Sequence, residues 1–449
     1  MFLSNNDPRF KLIQKAFAAS TGVTTDTRQT SNGKLFFALR GENFDGNQYA
    51  QLAIEHGCCG AVIDDAQILL KIPDAILVDD VLLALQSLAR WHRRKWDCPV
   101  IGLTGSNGKT TTKELLKIVC QSKFPDVQAT AGNLNNEIGV PLTLLSVDKN
   151  PDMVIVEMGA NAQGEIALLA SIAEPTHGII TNIGRAHLDG FGGIQGVIKG
   201  KSELFDFFRN QNERCEADGA ALFVNANHSI LLEKSDSLPR ITYGNRNHPP
   251  FVSSSSNDAS FTWVDLNKTE QGPLRCHISG VHNFENMMTA VAVGIHFGVS
   301  SENCSQALMS YTPNNNRSQW IRTDTNEVLL DAYNANPSSM ESALNFFGEA
   351  ADIEGDNTSL VAILGDMGEL GSFAAVAHNE IVQKALEMGV RVITVGPLFH
   401  LTASQLPGIL SFETTQELGR HLALHPITGK KILLKGSRSI ALEEVIGAL

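Results

Sequence analysis

Short apolar runs bounded by glycine, proline and asparagine turns alternate along this chain with stretches in which apolar residues return about every three to four positions, the pattern of strands interleaved with amphipathic helices. Residues 35–39, between Gly33 and Gly41, and residues 60–63 read as strands, with a helix over 49–56 between them. Residues 81–95 carry apolar side chains at helical spacing and end in Arg90, Arg93, Arg94 and Lys95, which predicts a hinge helix with a solvated basic face. From 99 to 312 strands and helices alternate, favouring a parallel, helix-covered sheet. Buried strands are expected at 100–103, 153–157 and 178–183, helices over 110–120 and 283–297, and a polar loop at 253–258. Beyond Pro313, strands at 328–331, 360–364, 390–395 and 432–434 separated by helical patterns give a doubly wound signature. There Asn336 supplies an N-cap and Pro337 the first helical position, with Met340, Ala343, Leu344 and Phe347 on the apolar face.

The expected fold class is therefore α/β in three domains. They are a small mixed α/β N-terminal domain (1–82), a central parallel-sheet domain with a phosphate-binding loop (83–312), and a C-terminal Rossmann-like doubly wound domain (313–449).

Composition narrows the partners. At 449 residues the chain is too long for one core. Its net charge of −13 argues against non-specific nucleic-acid binding, so an anionic substrate would be held by local cations, glycine amides and metal. No run approaches the roughly 18 apolar residues of a membrane span. The first residues lack the basic and then apolar regions of a signal peptide, and a cytoplasmic location is expected. Seven cysteines without C-x-x-C spacing read as reduced core thiols.

The candidate chemistry begins where the strand at 100–103 runs into Gly105, Ser106, Asn107, Gly108, Lys109, Thr110 and Thr111. Gly105 and Gly108 let backbone amides turn around an anion, and the following helix presents its positive N-terminus to the same anion. Lys109 would reach the outer phosphates of a nucleotide and the Thr110 hydroxyl would ligate Mg²⁺. The strict form of this motif has glycine where Leu103 stands. Glu157, at the C-terminal end of its strand, is placed as a second Mg²⁺ ligand. His187, in a loop leaving the next strand on the same sheet edge, would complete or orient that site. Lys199 and Lys201 have two readings: a solvated helix face with Lys199 paired to Glu203, which the pattern alone favours, or a lysine turned into the site to bind phosphate or become an anionic metal ligand. Asn133, Asn135 and Asn136 form an amide-rich loop suited to hydrogen bonding peptide or sugar.

Taken together, residues 104–111, Glu157, residues 182–188, Lys201, residues 280–286, Arg317 and residues 331–334 resemble the Mur ligase family, which joins amino acids or dipeptides to UDP-N-acetylmuramoyl peptides. Residues 132–141, 331–337, 364–371 and 434–438 are similar to the members that add D-alanyl-D-alanine to UDP-N-acetylmuramoyl-tripeptide. Asp26, Thr27, Arg28, Gly41 and Asp45 resemble the family's uridine-nucleotide segment, with Asn47 where histidine is usual. The resemblance implies ATP and Mg²⁺, with Lys109 on the γ-phosphate and Thr110, Glu157 and His187 holding or orienting the metal. It implies a carbamylated Lys201 on a second Mg²⁺, and Asn286, Arg317 and Asp331 around adenine and ribose. Tyr333, Asn334, Asn336, Lys435, Ser437 and Arg438 would then line the dipeptide site, and the chain would act as a monomer through an acyl phosphate with its third domain closing over the cleft. A related ATP-dependent ligase, such as a folylpolyglutamate synthase, and a slow nucleotide-hydrolysing switch are the alternatives. The first predicts a different N-terminal domain and dipeptide loop. The second has no use for Glu157, His187 and Lys201 on one edge.

Overall fold

The computed structural model describes residues 2–28, 31–147, 150–211, 221–255, 260–313, 316–352, 360–403, 406 and 408–449. Its first unit is a sheet of four short parallel strands in the order Val23–Thr24, Leu35–Phe37, Gly60–Ile63, Ile76–Leu77, with a hairpin of Arg40–Gly41 on Phe44–Asp45. Asn47 is buried and ties the hairpin to the sheet, donating to Asp45 Oδ1 (2.8 Å) and Asp64 Oδ1 (2.7 Å).

The hinge helix is Val81–Arg93, capped by Asp80, whose carboxylate accepts from the Leu83 amide. Its basic end departs from the expected solvated face. Arg93 is buried and donates to the carbonyls of Ala173 (3.0 Å) and Glu174 (2.9 Å), while Arg90 and Arg94 both bond the Glu174 carboxylate. These guanidiniums satisfy the C-terminus of the helix Glu165–Ala173, where unpaired carbonyls carry partial negative charge.

The central sheet has six parallel strands in the order Arg240–Tyr243, Leu222–Asn225, His177–Ile180, Val100–Thr104, Met153–Glu157, Val127–Ala129. Val100–Thr104 and Met153–Glu157 are buried throughout, as an apolar run covered on both faces requires. The strand expected over 178–183 ends at Ile180, which frees Thr181 and Asn182 to bond the phosphate loop. Three further strands, Phe251–Ser255, Ser260–Val264 and Glu270–Arg275, form a separate antiparallel sheet, a departure from the purely parallel expectation. Ser253, Ser254 and Ser255 belong to its first strand and not to a loop; residues 256–258 of that expected loop lie outside the described residues.

The third unit orders its strands Gln319–Arg322, Glu327–Asp331, Lys431–Lys435, Leu360–Gly365, Arg391–Val395, Leu410–Phe412, all parallel except the first. The helix Pro337–Asp352 begins where expected, with the Ser339 amide donating to Asn336 Oδ1 (3.0 Å). Of the cysteines, Cys59 is exposed and Cys98 half-buried, so neither is a core thiol; Cys58, Cys120, Cys276 and Cys304 are buried, and Cys215 lies outside the described residues. Among the described residues no helix is long and apolar enough to cross a membrane.

Candidate active site

Chain order reverses at Val100–Thr104, which is flanked by strands reached from opposite directions, and a crevice opens at the C-terminal ends of these three strands. The loop after Thr104 wraps tightly. A Cβ on Gly105 would lie 1.9 Å from Thr181 Oγ1, and one on Gly108, at φ +78°, 2.5 Å from Asn286 Oδ1, so both positions require glycine. Thr181 Oγ1 donates to the Asn107 carbonyl (2.6 Å), and Asn182 Oδ1 accepts from the Asn107 amide (3.0 Å). Lys109 opens the helix Lys109–Gln121, and its Nζ donates to the Gly105 carbonyl (2.7 Å) across the mouth of the loop. Burial pushes the Lys109 ammonium below its ordinary pKa, a pull that the Glu157 carboxylate opposes.

Glu157 is buried beside this loop. Its Oε1 accepts from Asn135 Nδ2 (2.9 Å) and from Thr110 Oγ1 (3.2 Å), and Lys113 Nζ lies 3.3 Å from Oε2, which has no hydrogen-bond partner. Among the described residues no three His, Cys, Asp or Glu side chains converge on one point. One carboxylate oxygen without a hydrogen bond beside a threonine hydroxyl nonetheless fits Mg²⁺, which keeps several waters and takes one or two carboxylates plus substrate phosphates.

The third unit closes the crevice. Asn336 Nδ2 donates to Asn107 Oδ1 (2.8 Å), Ser338 Oγ accepts from the Arg185 amide (2.8 Å), and Arg185 pairs with Glu380 (2.7 Å). Asp331 and Lys435 face each other on adjacent strands with Nζ on Oδ2 at 2.6 Å. Burial alone would raise the Asp331 pKa, but the Lys435 ammonium and its hydrogen bond win and hold it below the usual carboxylate range. Arg317 stacks over the Tyr333 ring at 3.9 Å, and its buried Nε has no hydrogen-bond partner.

One cavity of about 550 Å³ joins these parts. It is lined by residues 106–111, Asn133, Asn135, Asn136, Glu157, His187, Asn286, Arg317, Asp331, Tyr333, Asn334, Asn336 and Lys435. Several expected site residues lie elsewhere. Gly105 shapes the loop from behind without lining the cavity. Asp26, Thr27, Arg28, Gly41 and Asp45 belong to the first unit, with Arg28 paired to Asp26 (2.9 Å), and none reaches the cavity. Ser437 Oγ accepts from the Gly368 amide (2.9 Å), and Arg438 pairs with Glu443; neither lines it.

Lys201 overturns the solvated-face reading. It is fully buried, its Nζ donates to the Ala160 carbonyl (3.1 Å), and it sits 5.1 Å from the Phe191 ring centroid, behind the cavity wall. Burial first, and then nearby Lys109, pull its pKa well below that of an ordinary lysine. Glu203, expected to pair with Lys199, instead accepts from the amides of Gly164 (2.6 Å) and Ala167 (3.0 Å) at the head of the helix Glu165–Ala173. His187 is not at a strand end but in a left-handed turn, φ +52°, with its Nδ1 on the Glu369 carboxylate of the third unit.

Other cavity residues escaped the sequence reading: Glu165, His282, Asn283, Ser318, Ser339 and Ser342. His282 and Asn283 stand at the head of a helix in the stretch 280–286, and Ser339 follows Asn336 by one helical turn, so position relative to a helix start was the available signal. Burial pushes the His282 pKa down against the pull of Asp331.

Comparison with known proteins agrees along the whole chain. Residues 20–91 match the profile of the Mur ligase family catalytic domain, residues 103–294 that of the Mur ligase middle domain, and residues 316–438 that of the Mur ligase glutamate ligase domain. The UDP-N-acetylmuramoyl-tripeptide–D-alanyl-D-alanine ligase of Bacillus subtilis is 33% identical over 443 residues, covering 95% of this chain and 92% of the relative. Its Escherichia coli counterpart is 33% identical over 453 residues, covering 97% and 95%. A crystal structure of MurF from Acinetobacter baumannii superposes with a TM-score of 0.83 at 28% identity over 97% of both chains. Three matched domains in order, together with relatives one-third identical from end to end, establish that this chain belongs to the Mur ligase family.

Proposed function

We propose that this chain is the ADP-forming ligase that joins D-alanyl-D-alanine to UDP-N-acetylmuramoyl-tripeptide in peptidoglycan precursor synthesis, acting as a cytoplasmic monomer with ATP and Mg²⁺. The observation that carries this reading is the single cavity into which the phosphate loop, Glu157 and the Asp331–Lys435 pair all open. It brings a triphosphate-sized anion site and the third unit's polar wall within one enclosure. In this reading residues 1–82 take the uridine nucleotide through Asp26, Thr27, Arg28, Gly41 and Asp45, residues 83–312 take the triphosphate, and residues 313–449 take the dipeptide.

The tripeptide carboxylate attacks the γ-phosphorus of ATP, the bond to the β,γ-bridging oxygen breaks, and ADP leaves. Lys109, the loop amides and the N-terminus of the helix Lys109–Gln121 oppose the charge that spreads over the phosphoryl oxygens. Thr110 and Glu157 would hold Mg²⁺, whose charge would offset that of the phosphates; His187 lies on the same wall. Asn286, Arg317 and Asp331 hold the nucleoside. The dipeptide amine, held among Tyr333, Asn334, Asn336 and Lys435, then attacks the acyl carbon, loses a proton and expels phosphate to leave the amide. Contacts such as Asn336 on Asn107 keep the third unit over the site and water away from the acyl phosphate. The low pKa of Lys201 supports its carbamylation: a neutral Nζ adds to CO₂ and releases a proton, giving a carboxylate.

Phosphate release from ATP tests the reading when measured with UDP-N-acetylmuramoyl-tripeptide alone, with D-alanyl-D-alanine alone and with both. Release that needs both, with ligated product in equal amount, is expected. Release indifferent to the dipeptide sinks it.

A further inference from the structure

The chain passes from the central to the third unit once, after the helix Ser301–Ser310 and before the strand Gln319–Arg322. Tyr311 is the first residue beyond that helix. Its ring is buried in the central unit's core, and its hydroxyl donates to Glu114 Oε2 (2.7 Å), 197 positions away in the sequence. Glu114 stands on the helix Lys109–Gln121, about 7.5 Å along the axis from Lys109. The helix that carries Lys109 at its head therefore also grips the start of the connection.

At the far end of the connection stands Arg317, between Asn316 (φ +55°) and Ser318 (φ +48°), both in left-handed conformations. Residues with a side chain keep such conformations only where the surroundings over-determine them. On the third unit's side, the Ser318 amide donates to Asp331 Oδ1 (3.3 Å), and the Arg317 guanidinium lies over the Tyr333 ring. The charge of Arg317 also bears on the central unit. Burial first, and then Arg317, pull the Lys109 pKa down; burial first, and then Glu114, push the Tyr311 hydroxyl above its ordinary range, which Arg317 opposes. Arg317 thus lies within electrostatic reach of both residues.

The helices Ser301–Ser310 and Lys109–Gln121 do not need this hydrogen bond to stay together. Cys304, Ala307 and Leu308 share one apolar core with Leu115, Leu116 and Val119. What the Tyr311 hydroxyl adds is a directional bond to a carboxylate, the stronger kind, at the point where the chain leaves that core.

We propose that Tyr311 is a positioning residue for the nucleotide: bonded to Glu114, it fixes where the connection leaves the central unit and so delivers Arg317 to the cavity beside the phosphate loop. Neither Tyr311 nor Glu114 lines the cavity, whereas Arg317 does, so the effect on a bound nucleotide runs through Arg317. The proposal rests on the nucleotide site of the ligase reading.

Titration calorimetry of the full chain with ADP and Mg²⁺ tests it. Tyr311→Phe keeps the ring in the core and removes only the hydroxyl, so its melting temperature confirms an intact fold. Tyr311→Phe and Glu114→Ala should each weaken ADP binding by at least about threefold, within the range of couplings carried by residues that touch no ligand. Glu114→Gln, whose amide oxygen still accepts from the hydroxyl, should stay within about twofold of wild type. Added to Arg317→Ala, Tyr311→Phe should weaken binding by no more than about a further twofold, because the group through which it acts is gone. A smaller loss than about threefold in Tyr311→Phe, a Glu114→Gln as weak as Glu114→Ala, or a larger further loss in the Arg317→Ala protein overturns the proposal while leaving the ligase reading intact. A wild-type protein that binds no ADP overturns the nucleotide site itself, and the proposal with it.

Discussion

Asn336 Nδ2 donates to Asn107 Oδ1 over 2.8 Å while Asn336 Oδ1 accepts from the Ser339 amide at 3.0 Å, so one amide both caps a helix of the third unit and grips the phosphate loop of the second. The two roles use different atoms and separate by substitution. Asn336→Asp keeps the capping oxygen and loses the donor; Asn336→Ala loses both. Thermal unfolding should leave Asn336→Asp near wild type and cost Asn336→Ala about 1 kcal/mol. Ligation should fall in both variants, by roughly tenfold, because one of the contacts that hold the third unit against the phosphate loop is gone in each. Full activity in Asn336→Asp would mean that the cleft closes without this bond.

Lys109, which the ligase reading sets against the transferred phosphoryl group, is held by the Gly105 carbonyl at 2.7 Å. Lys109→Ala should lose turnover by at least about a hundredfold, since it removes a charge aimed at the transition state. Stability should move the other way or not at all. A buried ammonium pushed below its ordinary pKa is a burden on the fold, and its removal relieves that burden. Turnover and melting temperature measured on the same preparation check both halves; near-normal turnover refutes the phosphate role.

Lys201 lies behind the cavity wall with its amine on the Ala160 carbonyl, and burial lowers its pKa, the direction that carbamylation requires. Lys201→Ala should lose activity by at least about tenfold, as expected when a group that supports metal-assisted charge stabilisation is deleted. Formate or acetate, entering the space left by the truncated side chain, should restore part of it if the native group is a carbamate. Assays across a carboxylate series give the answer, and no restoration would assign Lys201 to packing alone.

How much of this could be read from residues alone follows from the range of the interactions involved. The phosphate loop, Glu157 and the helix starting at Pro337 are local: a strand period, two obligatory glycines and a capping asparagine are visible within a few positions. Lys201 misleads because it lies between Lys199 and Glu203, whose i, i+4 relation resembles an exposed face, whereas Phe191 and the wall at Ala160 cover it and Glu203 caps another helix. Arg93 misleads for the same reason: four basic residues in a row of six look solvated until the end of the helix Glu165–Ala173 arrives against them. The pairing of His187 with Glu369 leaves no trace at either position, because it exists only once two separately wound sheets have docked. The short strands Val127–Ala129, Leu222–Asn225 and Arg240–Tyr243 carry too few apolar residues to show a period, and sheet neighbours define them.

The central sheet contains its own acid sensitivity, away from the reaction. His177 begins the strand His177–Ile180, is 5% exposed, and has Nδ1 at 2.9 Å from Thr176 Oγ1 and no hydrogen-bond partner at Nε2. Its ring lies among Phe297 (5.0 Å), His296 (5.6 Å) and Phe223 (6.0 Å), surroundings that favour the neutral form. Burial, helped by His296, pushes its pKa down from 6.5 to about 4. Between those values the unfolded chain binds a proton that the folded chain refuses, so this group's contribution to stability is complete above pH 6.5 and is lost as pH falls towards 4. The loss amounts to about 3 kcal/mol from a shift of this size. His177→Phe keeps an aromatic ring among the others and removes the titration. Urea unfolding at pH 7 and at pH 4.5 should therefore show wild type losing about 2–3 kcal/mol more than His177→Phe between the two conditions. Equal losses would mean that His177 is charged in the folded protein or that His296 takes the proton in its place.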